Sequence, residues 1–218
     1  LFFALKKLKV TVTGDIGCYT LAALPPLGAM DTCICMGASI GNAHGMEKAL
    51  GPDGAGKVVA VIGDSTFLHS GVTGLMNVVY NRGISTVILL DNDITAMTGA
   101  QQNPATGKTL HGEPTRRTDL PALCRALGVE HVYTVNPHDM KQTEDVLRRE
   151  VARPEPSVII TKAPCALLPD HRRKIRRYTA KSAFSPNWAA CAVPTCRTSK
   201  GNCRNFRERS ANPCTKSS

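Results

Sequence analysis

Short apolar runs alternate with longer, partly polar stretches along most of this chain. The clearest runs span residues 57–62 and 86–90, and both are rich in β-branched side chains. Runs of this kind are typical of parallel strands that are buried on both faces of a sheet. The pattern therefore predicts an α/β fold with an open, mostly parallel sheet and helices on both faces.

The remaining pattern predicts the other elements of this fold. Further strands are predicted over residues 8–13, 32–36, 131–135 and 157–161, and helices over residues 42–50, 75–80, 120–127 and 139–151. Residues 65–74 are small, polar and glycine-containing, and are interpreted as a connection. The stretch 94–113 has no apolar period, so it predicts a long loop, and loops of that length in compact domains are usually functional.

The net charge of +10 is unevenly distributed and divides the chain near residue 170. Residues 1–170 carry 15 Lys and Arg against 16 Asp and Glu, whereas residues 171–218 carry 12 against the single acid Glu208. We therefore expect a domain over residues 1–170 and a basic tail over residues 171–218. A nucleic-acid-binding tail is one interpretation, but its aromatic residues are irregularly placed, and a disordered extension is the alternative.

The apolar segments and the first residue bear on location and completeness. No stretch is long enough to cross a membrane, and the apolar start of the chain lacks the pattern of a signal peptide, so we expect a cytoplasmic protein. Because the sequence begins with Leu1, we also expect a piece of a longer protein.

The nine cysteines divide in the same way as the charge. Those of the neutral part lie mostly beside apolar residues and are expected to be buried, reduced thiols: Cys18, Cys33, Cys35, Cys124 and Cys165. The four in the tail are Cys191, Cys196, Cys203 and Cys214. Their spacing is neither the paired pattern of a zinc site nor the compact pattern of an iron–sulfur site, so we expect no competent cluster there.

Polar residues follow the two strongest predicted strands. Gly63, Asp64 and Ser65 come after the first, and Asn92 comes after the second. Ligands of parallel sheets bind beyond the carboxyl ends of the strands, and oxygen ligands from neighbouring strands suit Mg²⁺ that also holds phosphate oxygens. The alternative is that Asp64 and Asn92 only cap helices or turns. The matched pair favours a diphosphate cofactor bound through magnesium.

Several motifs together resemble those of a known family. They are residues 13–20 (TGDIGCYT), 30–41 (MDTCICMGASIG), 63–65 (GDS), 90–92 (LDN) and 95–99 (TAMTG). The GDS and LDN segments are similar to the split motif of thiamine-diphosphate enzymes. In combination, the five segments resemble the large (alpha) subunit of indolepyruvate:ferredoxin oxidoreductase over residues 2–178, as part of its thiamine-diphosphate-binding domain.

This resemblance implies roles for individual residues. Magnesium is expected to bind the side chains of Asp64 and Asn92 and the backbone carbonyl of Ile94. The diphosphate is expected to lie against Gly14, Asp15, Gly17, Cys18, Gly63 and Ser65. Ile40 is expected to support the bent cofactor, with Met36 as the alternative, and Met97 and Thr98 are expected to line the cofactor and substrate site.

The resemblance also implies a reaction. It is the oxidative decarboxylation of a 2-oxo acid, indolepyruvate or another aryl pyruvate, to an acyl-coenzyme A, with electrons passing to ferredoxin. The expected cofactors are thiamine diphosphate and Mg²⁺, with [4Fe-4S] clusters in the family, and the expected partner is a smaller (beta) subunit. A non-oxidative thiamine-diphosphate decarboxylase or synthase is an alternative.

No catalytic acid or base is assigned at this stage. The glutamate that activates the cofactor in the family lies on a separate domain that this sequence does not contain. His44, His69 and His111 are the histidines nearest the predicted site, and structural roles are the simplest expectation for all three.

Overall fold

The structure is a computed structural model and describes residues 1–51 and 56–168. Six strands form one sheet in which every paired neighbour is parallel. The strands are β1 (Thr11–Gly14), β2 (Thr32–Cys33), β3 (Val58–Gly63), β4 (Thr86–Asp91), β5 (His131–Val135) and β6 (Ser157–Lys162). Their order across the sheet is β2-β1-β3-β4-β6-β5, which puts β3 and β4 side by side at its centre.

Six α-helices accompany the sheet within the described residues. They are α1 (Phe2–Leu8), α2 (Ala38–Leu50), α3 (Asp64–Thr66), α4 (Val72–Tyr80), α5 (Leu120–Ala126) and α6 (Met140–Val151). A 3-10 helix spans Cys18–Ala23, and a π-helical turn, Phe67–Gly71, joins α3 to α4.

The two hydrophobic cores lie on opposite faces of the sheet because successive strand residues point to opposite sides. On β3, Ala60 and Ile62 face a core with α2, α4 and α5, and Val59 and Val61 face a second core with α1 and α6. Val58–Gly63 is buried throughout. The predicted fold class, a parallel sheet with helices on both faces, is confirmed.

Three predicted boundaries are wrong at the beginning of the chain. Residues 2–8 form a helix, and β1 begins only at Thr11. Ala4 and Leu5 of this helix are fully buried against the sheet, so tertiary packing stabilises a helix that is too short to be stable alone. The predicted strand 32–36 is limited to Thr32–Cys33, and α2 starts at Ala38 rather than at residue 42.

The predicted connection 65–74 is also wrong, because the chain is helical from Asp64 to Tyr80. In the sequence, Gly71 and Gly74 indicate a loop, but in the structure they allow the helical segment to pack closely against its neighbours. A Cβ atom on Gly71 would lie 2.7 Å from the Ile62 side chain, and one on Gly74 would lie 3.2 Å from that of Ile40. The glycines therefore allow this helical segment to pack tightly against β3 and α2.

Two further expectations concern membrane spans and the basic tail. None of the helices in residues 1–51 and 56–168 is long and apolar enough to cross a bilayer. The basic tail expected over residues 171–218, with its four cysteines, lies outside the described residues.

Candidate cofactor site at the carboxyl ends of the central strands

Asp64 and Asn92 lie at the same edge of the sheet. Gly63 is the register partner of Leu90 in the parallel pair β3–β4, so Asp64 and Asn92 leave neighbouring strands within two residues of this pair. The two residues that flank Asn92, Asp91 and Asp93, both act electrostatically on Asp64. The structure thus places Asp64 and Asn92 just beyond the ends of two neighbouring strands, at one edge of the sheet.

Asp64 is a buried carboxylate whose negative charge is stabilised by few hydrogen bonds. Its side chain is 3% exposed, one oxygen accepts a hydrogen bond from the Ser65 amide at 2.7 Å, and the other accepts from Asn103 Nδ2 at 3.5 Å. Burial above all, together with the negative charges of Asp91 and Asp93, raises the pKa of Asp64 to about 6, against the hydrogen bonds from Ser65 and Asn103. A nearby cation would favour the ionised form.

Asn92 and Ile94 form a tight turn directly after β4. The Asn92 side-chain oxygen accepts a hydrogen bond from the Ile94 amide at 3.2 Å, and the Asn92 carbonyl accepts one from the Cys165 amide at 3.0 Å. An amide oxygen has two lone pairs, so Asn92 Oδ1 keeps one for another partner. Ile94 is 5% exposed, and its burial fixes the start of the long loop.

The two carboxylates beside Asn92 are paired with cations. Lys162 Nζ donates to Asp91 Oδ2 at 3.1 Å, and Arg117 Nη2 donates to Asp93 Oδ1 at 2.9 Å. Asp93 adopts a left-handed backbone conformation with φ 60°. The pairs join the end of β6 and the far end of the long loop to the turn that carries Asn92.

The turn after β1 is organised by the carboxylate of Asp15. This fully buried side chain accepts hydrogen bonds from the backbone amides of Ile16 (2.8 Å), Gly37 (2.9 Å) and Ser39 (3.1 Å). Two of these amides belong to the beginning of α2. In this structure Asp15 therefore holds the start of α2 against the turn, and its carboxylate is already occupied by donors.

Gly14 and Gly17 of this turn pack closely against neighbouring side chains. A Cβ atom on Gly14 would lie 2.2 Å from Met30 Sδ, and one on Gly17 would lie 2.3 Å from the Tyr19 ring. Cys18 follows at the surface. The turn lies next to the end of β3, because the Tyr19 hydroxyl accepts a hydrogen bond from the Gly63 amide at 2.9 Å.

Ile40 does not present a surface to a ligand. Its side chain is fully buried in the core between α2 and the helical segment 64–80. Met36, the alternative in the same stretch, is 45% exposed. Of these two candidates, only Met36 is exposed in this structure.

Met97 and Thr98 lie in the long loop and are exposed, and Thr98 Oγ1 donates to Gln101 Oε1 at 2.6 Å. Thr98 and Ser65 line a cleft of about 390 Å³ between this loop and the π-helical turn. Met97 does not line this cleft. Of the three histidines, His69 lies in the cleft, His44 is buried beside Glu47 on α2, and His111 is exposed further along the loop.

The expectation of buried cysteines is wrong for three of five. Cys124 is buried, but Cys18, Cys33 and Cys35 are exposed. Cys18 begins the 3-10 helix after β1, and β2 ends at Cys33, so residues 34–36 form no strand. All five are free thiols. Among the described residues, no three His, Cys, Asp or Glu side chains are grouped as metal ligands. The part of the chain that the structure describes therefore does not fit an iron–sulfur cluster.

Four further residues hold the site together. Tyr19 and Thr66 both donate to the Ile16 carbonyl, at 3.3 Å each. Thr95 Oγ1 donates to Ser65 Oγ at 2.8 Å, and Asn103 reaches both Asp64 and Thr95. Tyr19 and Thr95 lie in the segments 13–20 and 95–99 that carry the resemblance, whereas the contacts of Asn103 depend on how the loop folds back.

A family model supplies the class of the protein. The model for the thiamine pyrophosphate enzyme C-terminal TPP-binding domain matches residues 15–161, which include both strand ends and the long loop. The chain belongs to this family.

Curated relatives indicate which thiamine pyrophosphate enzymes this chain is similar to. The chain is 43% identical over 181 residues to indolepyruvate oxidoreductase subunit IorA of Pyrococcus horikoshii, and 39% identical over 178 residues to that of Archaeoglobus fulgidus. These matches cover 76% and 79% of this chain and 28% of each relative. The resemblance noted in the sequence is confirmed, and the chain spans about 28% of the length of these relatives.

Solved structures share the fold at low sequence identity. A 2-oxoglutarate:ferredoxin oxidoreductase from Magnetococcus marinus matches with a TM-score of 0.63 and 16% identity, over 77% of this chain and 60% of that chain. Benzoylformate decarboxylase from Polynucleobacter necessarius matches with a TM-score of 0.53 and 16% identity, over 75% and 32%. Because both identities are low, these matches establish the fold alone.

Proposed function

We propose that this chain binds the diphosphate group of thiamine diphosphate through Mg²⁺ at the carboxyl ends of β3 and β4. The observation that carries the proposal is Asp64, a buried carboxylate with a pKa raised to about 6, next to the end of the strand that carries Asn92. A bound cation would remove the cost of burying this charge. Membership of the TPP-binding family supports the same cofactor.

The donor atoms fit magnesium. The proposed ligands are a carboxylate oxygen of Asp64, Oδ1 of Asn92 and the carbonyl of Ile94, all hard oxygens of the kind that Mg²⁺ prefers. Asp91 and Asp93 are paired with Lys162 and Arg117, so these two carboxylates are engaged elsewhere. Phosphate oxygens and water would complete the octahedral shell.

The rest of the proposed site surrounds this metal position. Gly63, Ser65 and the turn containing Gly14, Gly17 and Cys18 would lie along the diphosphate, where small side chains let the backbone come close. Asp15 would act indirectly, by fixing the start of α2. Met36 is the exposed apolar side chain that would support the bent cofactor, and Met97 and Thr98 would face the substrate.

We further propose that the complete protein oxidises 2-oxo acids, with indolepyruvate as the substrate, coenzyme A as acyl acceptor and ferredoxin as electron acceptor. Relatives named indolepyruvate oxidoreductase subunit IorA support the substrate, and a smaller beta subunit would be the partner. When bound, thiamine diphosphate supplies the electron sink for carbon–carbon cleavage. This chain would bind and orient that cofactor.

Isothermal titration calorimetry tests the cofactor site. Wild-type chain should bind thiamine diphosphate only when Mg²⁺ is present. Asp64→Ala should lose this binding by at least about tenfold, because removing a charged partner typically costs about 1.5–3 kcal/mol. The matched control is Asp145→Ala, an exposed carboxylate on α6 that should bind like wild type.

Two results would argue against the proposal. Equal binding by wild type and Asp64→Ala would remove Asp64 from the metal site. Binding that is independent of Mg²⁺ would remove the metal itself.

A further inference from the structure

The π-helical turn Phe67–Gly71 places His69 at the cleft beside the proposed cofactor site. Such turns are rare and are frequently found at functional sites. This one is anchored by the fully buried ring of Phe67 and by Gly71, where a Cβ atom would lie 2.9 Å from that ring. His69 itself is exposed, so the turn presents its imidazole from a fixed backbone.

The cleft that receives this imidazole is lined by both polar and apolar groups and carries no other ionisable side chain. Its volume is about 390 Å³, within the range of about 300–1,000 Å³ typical of ligand sites. Thr98 and Gln101 line it from the long loop, and Leu68 and Pro104 add apolar surface. Ser65 and Asn103, which contact Asp64, also line the cleft, so it borders the proposed metal position.

The hydrogen bonds of Ser70 favour one tautomer of His69. The Ser70 hydroxyl donates to the Met36 carbonyl at 3.1 Å, and Ser70 Oγ lies 3.0 Å from His69 Nδ1. A hydroxyl has one hydrogen and a carbonyl can only accept, so a hydroxyl that donates to Met36 has no hydrogen left for His69. This hydrogen bond favours the tautomer in which Nδ1–H of His69 donates to Ser70 Oγ.

This arrangement leaves Nε2 of the neutral ring as a hydrogen-bond acceptor. No backbone or side-chain group of residues 1–51 and 56–168 forms a hydrogen bond with it. A ligand bound at this position would offer a donor to Nε2 and find apolar surface at Leu68 and Pro104.

We infer that His69 recognises the ring of the substrate. Its Nε2 would accept a hydrogen bond from a ring N–H, such as that of the indole group in an indole-containing 2-oxo acid. The inference rests on the proposed function for the class of substrate, and it adds the residue that would distinguish an indole from a ring without a donor. A neutral acceptor held in one tautomer discriminates through a single hydrogen bond.

The tautomer is tested without any ligand. Long-range ¹H–¹⁵N spectra of histidine-labelled chain at pH 8 should show His69 with its proton on Nδ1, and His69→Phe identifies its signals. Ser70→Ala should shift the ring towards the Nε2-protonated form. A wild-type ring protonated on Nε2 would overturn the inference.

Ring recognition is tested with indole-3-pyruvate and its 1-methylindole analogue, which lacks the donor. With Mg²⁺ and thiamine diphosphate bound, wild type should bind indole-3-pyruvate about 3- to 10-fold more tightly, as one neutral hydrogen bond allows. His69→Phe should bind both compounds equally. The control His111→Phe, which changes an exposed histidine further along the loop, should keep the wild-type preference.

The outcomes separate this inference from the proposed function. If the cofactor binds but the preference for indole-3-pyruvate is absent, or persists in His69→Phe, the role of His69 is wrong and the cofactor site stands. If indole-3-pyruvate does not bind to the cofactor-loaded chain, the role of His69 is also wrong. If Mg²⁺-dependent cofactor binding fails, the proposed function is wrong.

Discussion

Burying the ionised Asp64 carboxylate destabilises the folded chain, and a purely structural Asp would not require that burial. A capping or turn-forming Asp normally stays near solvent, whereas this carboxylate is 3% exposed and its pKa is raised to about 6. Groups with such perturbed pKa values are concentrated at functional sites. The sequence identified Asp64 and Asn92 because both follow strong apolar runs. It did not show that Ile40 is buried in the core, because the side on which that residue lies depends on where α2 begins.

The raised pKa of Asp64 predicts a stabilising substitution. In the metal-free chain, Asp64→Asn should raise the free energy of unfolding by about 1–3 kcal/mol at pH 7.5. The folded pKa, about 6, lies above the ordinary value of 3.8, so the ionised form is penalised in the folded state at higher pH. The advantage should decline as pH falls from 6 to 4 and vanish below that range.

Urea unfolding of both proteins between pH 4 and 7.5 measures this effect. Asp145→Asn, a change at an exposed position on α6, is the control and should match wild type at every pH. An Asp64→Asn variant with wild-type stability throughout the range would show that the buried carboxylate carries no penalty.

Tyr19 should matter as a positioning residue. Its hydroxyl accepts from the Gly63 amide at 2.9 Å and donates to the Ile16 carbonyl at 3.3 Å. Tyr19→Phe leaves the buried Gly63 amide without this partner, which should lower the free energy of unfolding by about 1–3 kcal/mol. Tyr80→Phe, at a ring that is 84% exposed, should change it by less than about 0.5 kcal/mol. Equal stability of the two variants would contradict this role.

At the scale of elements, periodicity located the strands better than the helices beside the site. The runs that predict β3, β4 and β6 are largely buried on both faces and need no partner to be recognised. The helical segment 64–80 was missed in its first half because Gly71 and Gly74 resemble loop residues. Their use as close packing positions against Ile62 and Ile40 is a property of the tertiary structure.

Gly37 joins the beginning of α2 to the π-helical turn. Its φ is 87°, and a Cβ atom there would lie 2.2 Å from Ser70 Oγ. Gly28 also has a left-handed backbone, φ 49°, but a Cβ atom on it would meet nothing within 4 Å. Both Ala variants have a strained backbone, but only Gly37→Ala also creates a steric clash. Gly37→Ala should therefore lower the free energy of unfolding by about 1–3 kcal/mol more than Gly28→Ala, as is typical of overpacking.

Thermal or urea unfolding of Gly37→Ala and Gly28→Ala compares the two positions directly. The Gly28 variant accounts for the backbone conformation alone. Equal losses of stability would mean that the contact between Gly37 and Ser70 does not constrain the turn.

At the scale of the whole molecule, the sequence predicted the layers of the fold but not the order of the strands. The order β2-β1-β3-β4-β6-β5 depends on contacts between distant parts of the chain. Its consequence for the site is that β3 and β4 are neighbours, so that two polar strand ends 28 residues apart meet at one edge. The long loop then returns Asn103 and Arg117 to the same edge.

The central claim is that Asp64 and Asn92 share one metal ion that holds a diphosphate. Crystals grown with Mn²⁺ and thiamine diphosphate, measured by anomalous scattering, test it most directly. We expect one manganese peak about 2.1–2.2 Å from an Asp64 carboxylate oxygen and from Asn92 Oδ1, with diphosphate oxygens in its shell. A peak bound instead by Asp91 and Asp93, or cofactor density with no metal between these strands, would contradict it.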